Sequence, residues 1–400
     1  MSVSPTKDPS PATRRSPEAS PNGRAPASPP PAVEAIAPRA LFLGSTYGGH
    51  HTRFLNLEAN THDDPRIRPS YRPVRGWVVG GLVERLPLLP AGLKGRARAV
   101  WQSKSLARLP RPDVIWTSAK ESLLPHLWSQ LGPLRRPLVL DLDWTLEQQE
   151  ELAPVYYKRP PKRGLRRLIA RMEQRALWST VTLFTPWSRW VADAIVREGV
   201  APERVRIIPP GVDTEQWKPE PKTGRGDKLR LLFVGGDFER KGGELLLEAL
   251  RGGFADRCEL DIVTREAVAP PEGVRVHRAE PNSPELRRLY AEAEVFVMPS
   301  LAECFGIATV EAMASGLPVI VGDVGGARDI VDHSETGWLI EPAAADLAKA
   351  LESALAAGDG LRSMGVRARA VAEGRFDARK NGRAVIDALL EAREQFREAR

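Results

Sequence analysis

Short apolar runs alternate with helical patterns along this chain, and the alternation runs through twice. In the first half the runs are ALFLGS (40–45), DVIWTS (113–118), PLVLDLD (137–143), TVTLFTP (180–186) and VRIIPPG (205–211). Stretches such as RRLIARMEQRALW (166–178) and SRWVADAIVREG (188–199) lie between them with helical spacing. Continuous apolar runs of four to eight residues suit strands buried on both faces, so strand–helix alternation predicts a doubly wound parallel sheet. A polar stretch, KPEPKTGRGDK (218–228), interrupts the pattern like a linker. It then restarts with LRLLFVGG (229–236), GELLLEALRGG, ELDIVT (259–264), VRVHR (274–278), SPELRRLYAEA and VFVMPS (295–300).

Four hundred residues suit two such domains rather than one core. We expect a tail at 1–38, a first Rossmann-like domain at 39–210, a second at 211–375 and a charged amphipathic helix at 376–400. The tail holds ten prolines and almost no large apolar residue, a composition that predicts disorder. No run approaches the ~20 apolar residues of a membrane span, and the N-terminus lacks a secretory apolar core. Two cysteines, Cys258 and Cys304, provide neither a disulfide framework nor a zinc pattern, which points to a reducing cytoplasm.

The net charge of +7 conceals an asymmetry. Residues 39–210 carry 28 Lys+Arg against 15 Asp+Glu, whereas residues 211–400 carry 26 against 33. The basic residues of the first half concentrate in GLKGRARAVWQSKSLAR (92–108) and YYKRPPKRGLRRLIARMEQR (156–175). Two readings stand for these stretches: a solvated helix face, or a contact with an anionic membrane surface. Nucleic acid is not expected, because the basic residues are not interleaved with a stacking platform.

The stretch PSLAECFGIATVEAMASGLP (299–318) carries the chemistry. Glu303 sits in a turn containing Phe305 and Gly306, and Glu311 lies inside a short apolar helix ended by Gly316 and Pro318. The amides of Phe305, Gly306 and Ile307 fall at the helix start, where unpaired N–H groups and the macrodipole favour anionic oxygen. A carboxylate has two acceptor oxygens, enough for a ribose diol. These features suit a phosphorylated, hydroxyl-rich ligand such as a sugar nucleotide. Upstream, VGGDFERKGG (234–243) sets Arg240 and Lys241 between a strand and a helix start, a pairing suited to a diphosphate. In the first half, LFLGSTYGGHHTRF places Gly48 and Gly49 in a strand–turn–helix. His50 and His51 open that helix and read first as surface or cap residues, while histidine's near-neutral titration keeps a catalytic role open. PLVLDLDWTLEQQ contains Asp141-x-Asp143; two carboxylates without further oxygen ligands make a poor magnesium site, and no metal is expected. Asp143 falls at a strand end, where open α/β sheets bind ligands.

The segment from Pro299 through TGWLIEP (336–342) resembles the donor-site signature of the family 4 glycosyltransferases, which have the GT-B fold. Glu303 and Glu311 match its paired glutamates. Gly325, Gly326, Thr336, Gly337 and Leu339 match the positions that follow, and Cys304 stands where a glycine is usual. IIPPGVDTEQWKP (207–219) is similar to the family's domain-linking segment. The resemblance is clear over about 205–345 and outlined over 40–205. It implies two Rossmann-like domains facing across a cleft and a final helix that packs back on the first. It implies retaining transfer from a UDP-, GDP- or ADP-sugar with no required cofactor. Arg240 and Lys241 would stabilise the leaving diphosphate, Glu303 would hold the transferred sugar, and Glu311 the ribose. Gly48 and Gly49 would face the donor phosphates. Gly236 stands where many members carry arginine, and Asp143 lies near where many carry histidine. The basic first domain suggests an anionic or lipid-linked acceptor and a place at the inner membrane face. Two alternatives remain: a glycoside hydrolase using Glu303 and Glu311 as its acid and nucleophile, and an inactive sugar-nucleotide-binding or membrane-associated scaffold.

Overall fold

The computed structural model describes residues 36–74, 109–118, 135–220 and 226–400. The proline-rich tail up to residue 35, the basic stretch 92–108 and linker residues 221–225 lie outside the described residues.

The first sheet is assembled from β1 (Arg39–Ser45), β2 (Arg68–Val74), β3 (Val114–Thr117), β4 (Leu138–Leu142) and β5 (Leu183–Pro186) in the order β2-β1-β3-β4-β5. Every pairing is parallel. Helices α1 (Gly48–Thr61), α2 (Leu146–Tyr157), α3 (Gly164–Trp178) and α4 (Arg189–Arg197) connect or follow these strands. Every residue of β3, β4 and β5 is buried, as a sheet covered on both faces requires. Leu41, Leu43, Ile115 and Leu138 pack on one face against Val191 and Ile195 of α4. Phe42, Trp116 and Val139 pack on the other.

Two expectations change here. β2 has no apolar run; its sequence RPSYRPV holds two prolines and two arginines. It is an edge strand, where prolines are tolerated. VRIIPPG is not a strand. Arg206 N and Ile208 N donate to Phe184 O (2.9 Å) and Pro186 O (3.0 Å), but Pro209 and Pro210 have no N–H to continue the ladder.

The second sheet holds β6 (Leu229–Val234), β7 (Cys258–Val263), β8 (Val274–His277), β9 (Val295–Met298), β10 (Val319–Gly322) and β11 (Gly337–Ile340). Their order is β11-β10-β9-β6-β7-β8, again parallel throughout. Chain order reverses between β6 and β9. In open α/β sheets the crevice beyond the strand ends at such a reversal binds ligands. The helices are α5 (Gly243–Ala249), α6 (Pro284–Glu292), α7 (Ile307–Ala314), α8 (Ala327–Ile330), α9 (Ala344–Ala357) and α10 (Gly360–Arg375).

A last helix, α11 (Ala378–Glu398), returns to the first sheet. Its Val385, Ile386, Leu389 and Ala392 are buried with Phe42, Trp116 and Val139. The chain crosses between the sheets near Val212 and again near Asp377, and the two crossings bond to each other. Val212 N donates to Phe376 O and Ala378 N donates to Val212 O, both at 2.9 Å. Asp377 caps α11 by accepting from Arg379 N and Lys380 N.

Candidate active site

The turns that leave β6 and β9 are joined. Leu301 N donates to Arg240 O at 2.8 Å. Gly242 has φ +80°, and a Cβ there would stand 2.1 Å from Pro299 O, so only glycine allows the approach. This contact brings the cations of the first turn to the acid of the second. Lys241 Nζ lies 2.7 Å from Glu303 Oε2, and Arg240 Nη1 lies 3.8 Å from the same oxygen. Asp237 accepts from Arg240 Nε at 2.8 Å, and Ala302 O accepts from Nη1 at 2.7 Å, which fixes the guanidinium plane.

These charges shift one another. Burial alone pushes the Glu303 carboxyl up, but the Lys241 and Arg240 cations outweigh it and hold the group below its ordinary value. Burial lowers Arg240, and the Glu303 charge together with Tyr156 and Asp237 more than reverses that. Glu303 is therefore an anion bound to two cations. Its Oε1 also accepts from Cys304 N at 3.2 Å. Acceptor capacity remains on both oxygens.

Gly306, φ +101°, starts α7 with no side-chain cap. The helix start is thus open to an external acceptor. Glu311 lies on this helix, buried, and accepts from Tyr290 OH at 3.1 Å. Burial raises its carboxyl to about 7. A cavity of ≈ 10 Å³ beneath the turn, lined by Glu303, Phe305 and Ser300, holds a water at most and not a sugar.

The first domain meets this turn directly. A Cβ on Gly49 would lie 3.4 Å from Ile307 Cδ1 and 3.7 Å from the Trp187 ring. Gly48, φ +51°, is the first residue of α1. Trp187 stands edge-on to Phe305, ring centroids 6.1 Å apart. His50 packs on the other side of Trp187 at 4.6 Å, with Nε2 3.1 Å from Asp143 Oδ1. Gly48, Gly49, Asp143, Phe305 and Ile307 thus share one neighbourhood. Asp141 does not join it. It is fully buried and accepts from Arg53, Thr185 and Trp187, with Trp187 Nε1 at 2.7 Å and Arg53 Nη2 at 2.6 Å. Asp141 ties α1 to the sheet, and the two aspartates of the Asp-x-Asp pattern have separate partners.

The glycosyl transferases group 1 profile matches residues 228–357, and the glycosyltransferase family 4 profile matches residues 49–216. The chain belongs to the group 1 glycosyltransferases. A D-inositol 3-phosphate glycosyltransferase of Pseudarthrobacter chlorophenolicus is 28% identical over 307 residues, which span 69% of this chain and 70% of that protein. An MMP alpha-(1->4)-mannosyltransferase of Mycolicibacterium hassiacum is 31% identical over 231 residues, 54% of this chain and 56% of that protein. The fold matches Anabaena HepE, solved in complex with UDP and glucose, at TM-score 0.62 and 18% identity over 88% of this chain and 99% of that one. The two parallel-sheet domains are those of a GT-B glycosyltransferase.

Two residues of this glycosyltransferase escaped the sequence reading. His50 read as a surface or cap residue, yet it is half-buried against Trp187 and Asp143. Its place directly after Gly48-Gly49, in the first turn of α1, was the available signal. Tyr156 lies on α2, where Pro154 and a polar sequence obscure the helix. Its ring covers the Arg240 guanidinium at 4.3 Å, and its hydroxyl lies 3.3 Å from Cys304 Sγ. Two residues on, Lys158 Nζ pairs with Glu239 Oε2 at 2.6 Å. No local pattern reports such contacts across 80 or more residues.

Proposed function

We propose that the protein is a retaining glycosyltransferase that moves a sugar from a UDP-, GDP- or ADP-sugar to an anionic or lipid-linked acceptor. The carrying observation is the Arg240–Lys241–Glu303 cluster at the β6/β9 reversal. In this reading Arg240, Lys241 and the α7 amides of Phe305, Gly306 and Ile307 receive the donor diphosphate. Gly48 and Gly49 approach it from the first domain. Glu303 accepts from hydroxyls of the transferred sugar, and Glu311 from the ribose diol. Asp143 stands nearest the anomeric carbon, with His50 beside it.

The acceptor hydroxyl attacks the anomeric carbon on the face from which the diphosphate departs. The carbon–oxygen bond to the diphosphate breaks, a new one forms to the acceptor oxygen, and the acceptor's proton passes to the departing phosphate oxygen. Negative charge grows on that phosphate, where fixed cations act most strongly. No protein base and no metal enter this scheme. Closure of the domains would exclude water.

The relatives named for inositol phosphate and mannosyl transfer, and the UDP and glucose held by HepE, support a nucleotide-sugar donor. The basic charge of residues 39–210 supports an anionic acceptor. On α3, Leu165, Leu168, Ile169 and Met172 are exposed among arginines, which supports a peripheral site at the inner face of the membrane. Among the described residues no helix is long and apolar enough to cross one. A hydrolase needs two carboxyls aimed at one bond; here Glu303 faces Lys241 and Glu311 faces Tyr290. The test is transfer from each nucleotide sugar to inositol phosphates and lipid acceptors, with the product anomer read by NMR. Inverted product contradicts retention. Nucleotide binding without any turnover would favour the scaffold reading.

A further inference from the structure

Away from the donor site, five arginines line a pocket of ≈ 250 Å³ together with Asp113, Pro137 and Phe396. Arg135 and Arg136 approach it from the segment entering β4, and Arg393, Arg397 and Arg400 from α11 and the residues after it. Asp113 and Pro137, which enter β3 and β4, form its floor. It therefore lies at the amino ends of the strands, whereas Gly48 and Asp143 follow the carboxyl ends. Strands of four and five residues put roughly 15 Å of sheet between the two.

Four of the five arginines of this pocket are not neutralised. Asp113 is the only acidic side chain among the described residues of its lining, and its Oδ2 already accepts from Arg39 N at 2.8 Å. Among the described residues Arg135, Arg393, Arg397 and Arg400 form no ion pair, whereas Arg379 at the other end of α11 faces Asp213 and Glu215. Arg135 and Arg400 instead stack beside Phe396, 5.7 and 4.8 Å from its ring centroid, and Arg400 Nη2 donates to Arg135 O at 3.3 Å. These contacts orient the guanidinium groups without cancelling their charge. A helix C-terminus favours one or two cations in its last turn; four guanidinium groups without an ion pair exceed that and repel one another unless an anion is present.

We propose that this pocket binds a diphosphate-class oligoanion, either free or carried on a larger molecule. Arginine forks match phosphate oxygens bidentately, and five around one pocket suit a ligand with several charges rather than a single carboxylate. The proposal is independent of the donor-site reading.

The test uses full-length protein carrying Arg240→Ala and Lys241→Ala, which removes the other diphosphate site. Pyrophosphate is titrated by calorimetry at ~0.15 M salt, where exposed charges are screened beyond about 8 Å. Binding is expected, and adding Arg393→Ala with Arg397→Ala should weaken it about tenfold or more. Arg135→Ala with Arg400→Ala tests the opposite wall, so a folding defect in one variant leaves the other informative. Without anion, both pairs should melt at or above the parent's temperature, because they relieve repulsion. Vesicles containing phosphatidic acid form a second arm: capture lost in both variants assigns the phosphate to a lipid, whereas pyrophosphate binding without capture assigns it to a free ligand. The proposal is overturned if pyrophosphate does not bind the parent, if neither pair weakens it, or if sulfate at equal ionic strength binds equally well.

Discussion

The Tyr156 ring lies over the Arg240 guanidinium, 4.3 Å from carbon to centroid, and joins α2 of the first domain to the β6 turn of the second. Such a contact is worth about 0.5–2 kcal/mol. It exists only when the domains are together, so it favours the closed arrangement. Tyr156→Ala should raise donor hydrolysis relative to transfer several-fold, since closure is what excludes water. Tyr156→Phe keeps the ring and should stay near wild type. Equal hydrolysis ratios in both variants would remove Tyr156 from this role.

Lys241 and Glu303 form a largely buried pair, so removing one partner strands the other. Lys241→Ala should cost on the order of 3 kcal/mol of stability, read by urea unfolding. Adding Glu303→Gln should restore most of that and none of the transferase activity. Recovery of activity in the double variant would mean that the pair is structural only.

As the proposed ribose ligand, Glu311 should link pH to both folding and binding. Burial raises its carboxyl from 4.5 to about 7. The folded state then holds a proton that the unfolded chain has released, so this group lowers stability as pH rises from about 4.5 to 7 and is neutral to pH above that. Donor binding runs the opposite way, because the ribose diol is best met by the ionised form. Affinity for a UDP-sugar, whose phosphates do not titrate in this range, should fall toward about tenfold per pH unit below 7. Glu311→Gln should flatten both profiles. Binding curves that remain pH-dependent in this variant would assign the proton elsewhere.

Much of this was legible in the sequence, for physical reasons that differ by residue. Parallel strands buried on both faces must be apolar runs, so β1, β3, β4, β6 and β9 declared themselves. The edge strand β2 is bound by no such rule, and its prolines hid it. Glu303, Arg240 and Lys241 stood out because each sits in a strand–turn–helix with glycines around it. That they form one cluster follows from the β6/β9 adjacency, which is tertiary. Tyr156 and His50 meet their partners across long stretches of chain, where no local pattern reaches.

Asp141 and Asp143 are expected to separate stability from activity. Asp141→Ala leaves Arg53 buried and unpaired and should cost about 3–5 kcal/mol. Asp143→Ala should leave the urea midpoint nearly unchanged and lower kcat. A large stability loss at Asp143 with full activity in the folded fraction would exclude it from the anomeric centre.

The space beside Gly236 is open, with no atom within 4 Å of a Cβ placed there. Gly236→Arg should add a third cation to the turn and tighten nucleotide diphosphate binding several-fold, by a charge-assisted bond of roughly 1.5–3 kcal/mol less the cost of ordering the side chain. Unchanged affinity in calorimetry would mean that the diphosphate does not pass this position.

The most direct measurement is calorimetric titration of UDP-, GDP- and ADP-sugars into the wild-type protein and the Lys241→Ala and Glu311→Ala variants. The account predicts that at least one nucleotide sugar binds the wild type and that both variants lose about tenfold or more in affinity. Binding of none of them, or binding that both variants retain in full, would contradict a donor site at Arg240, Lys241, Glu303 and Glu311.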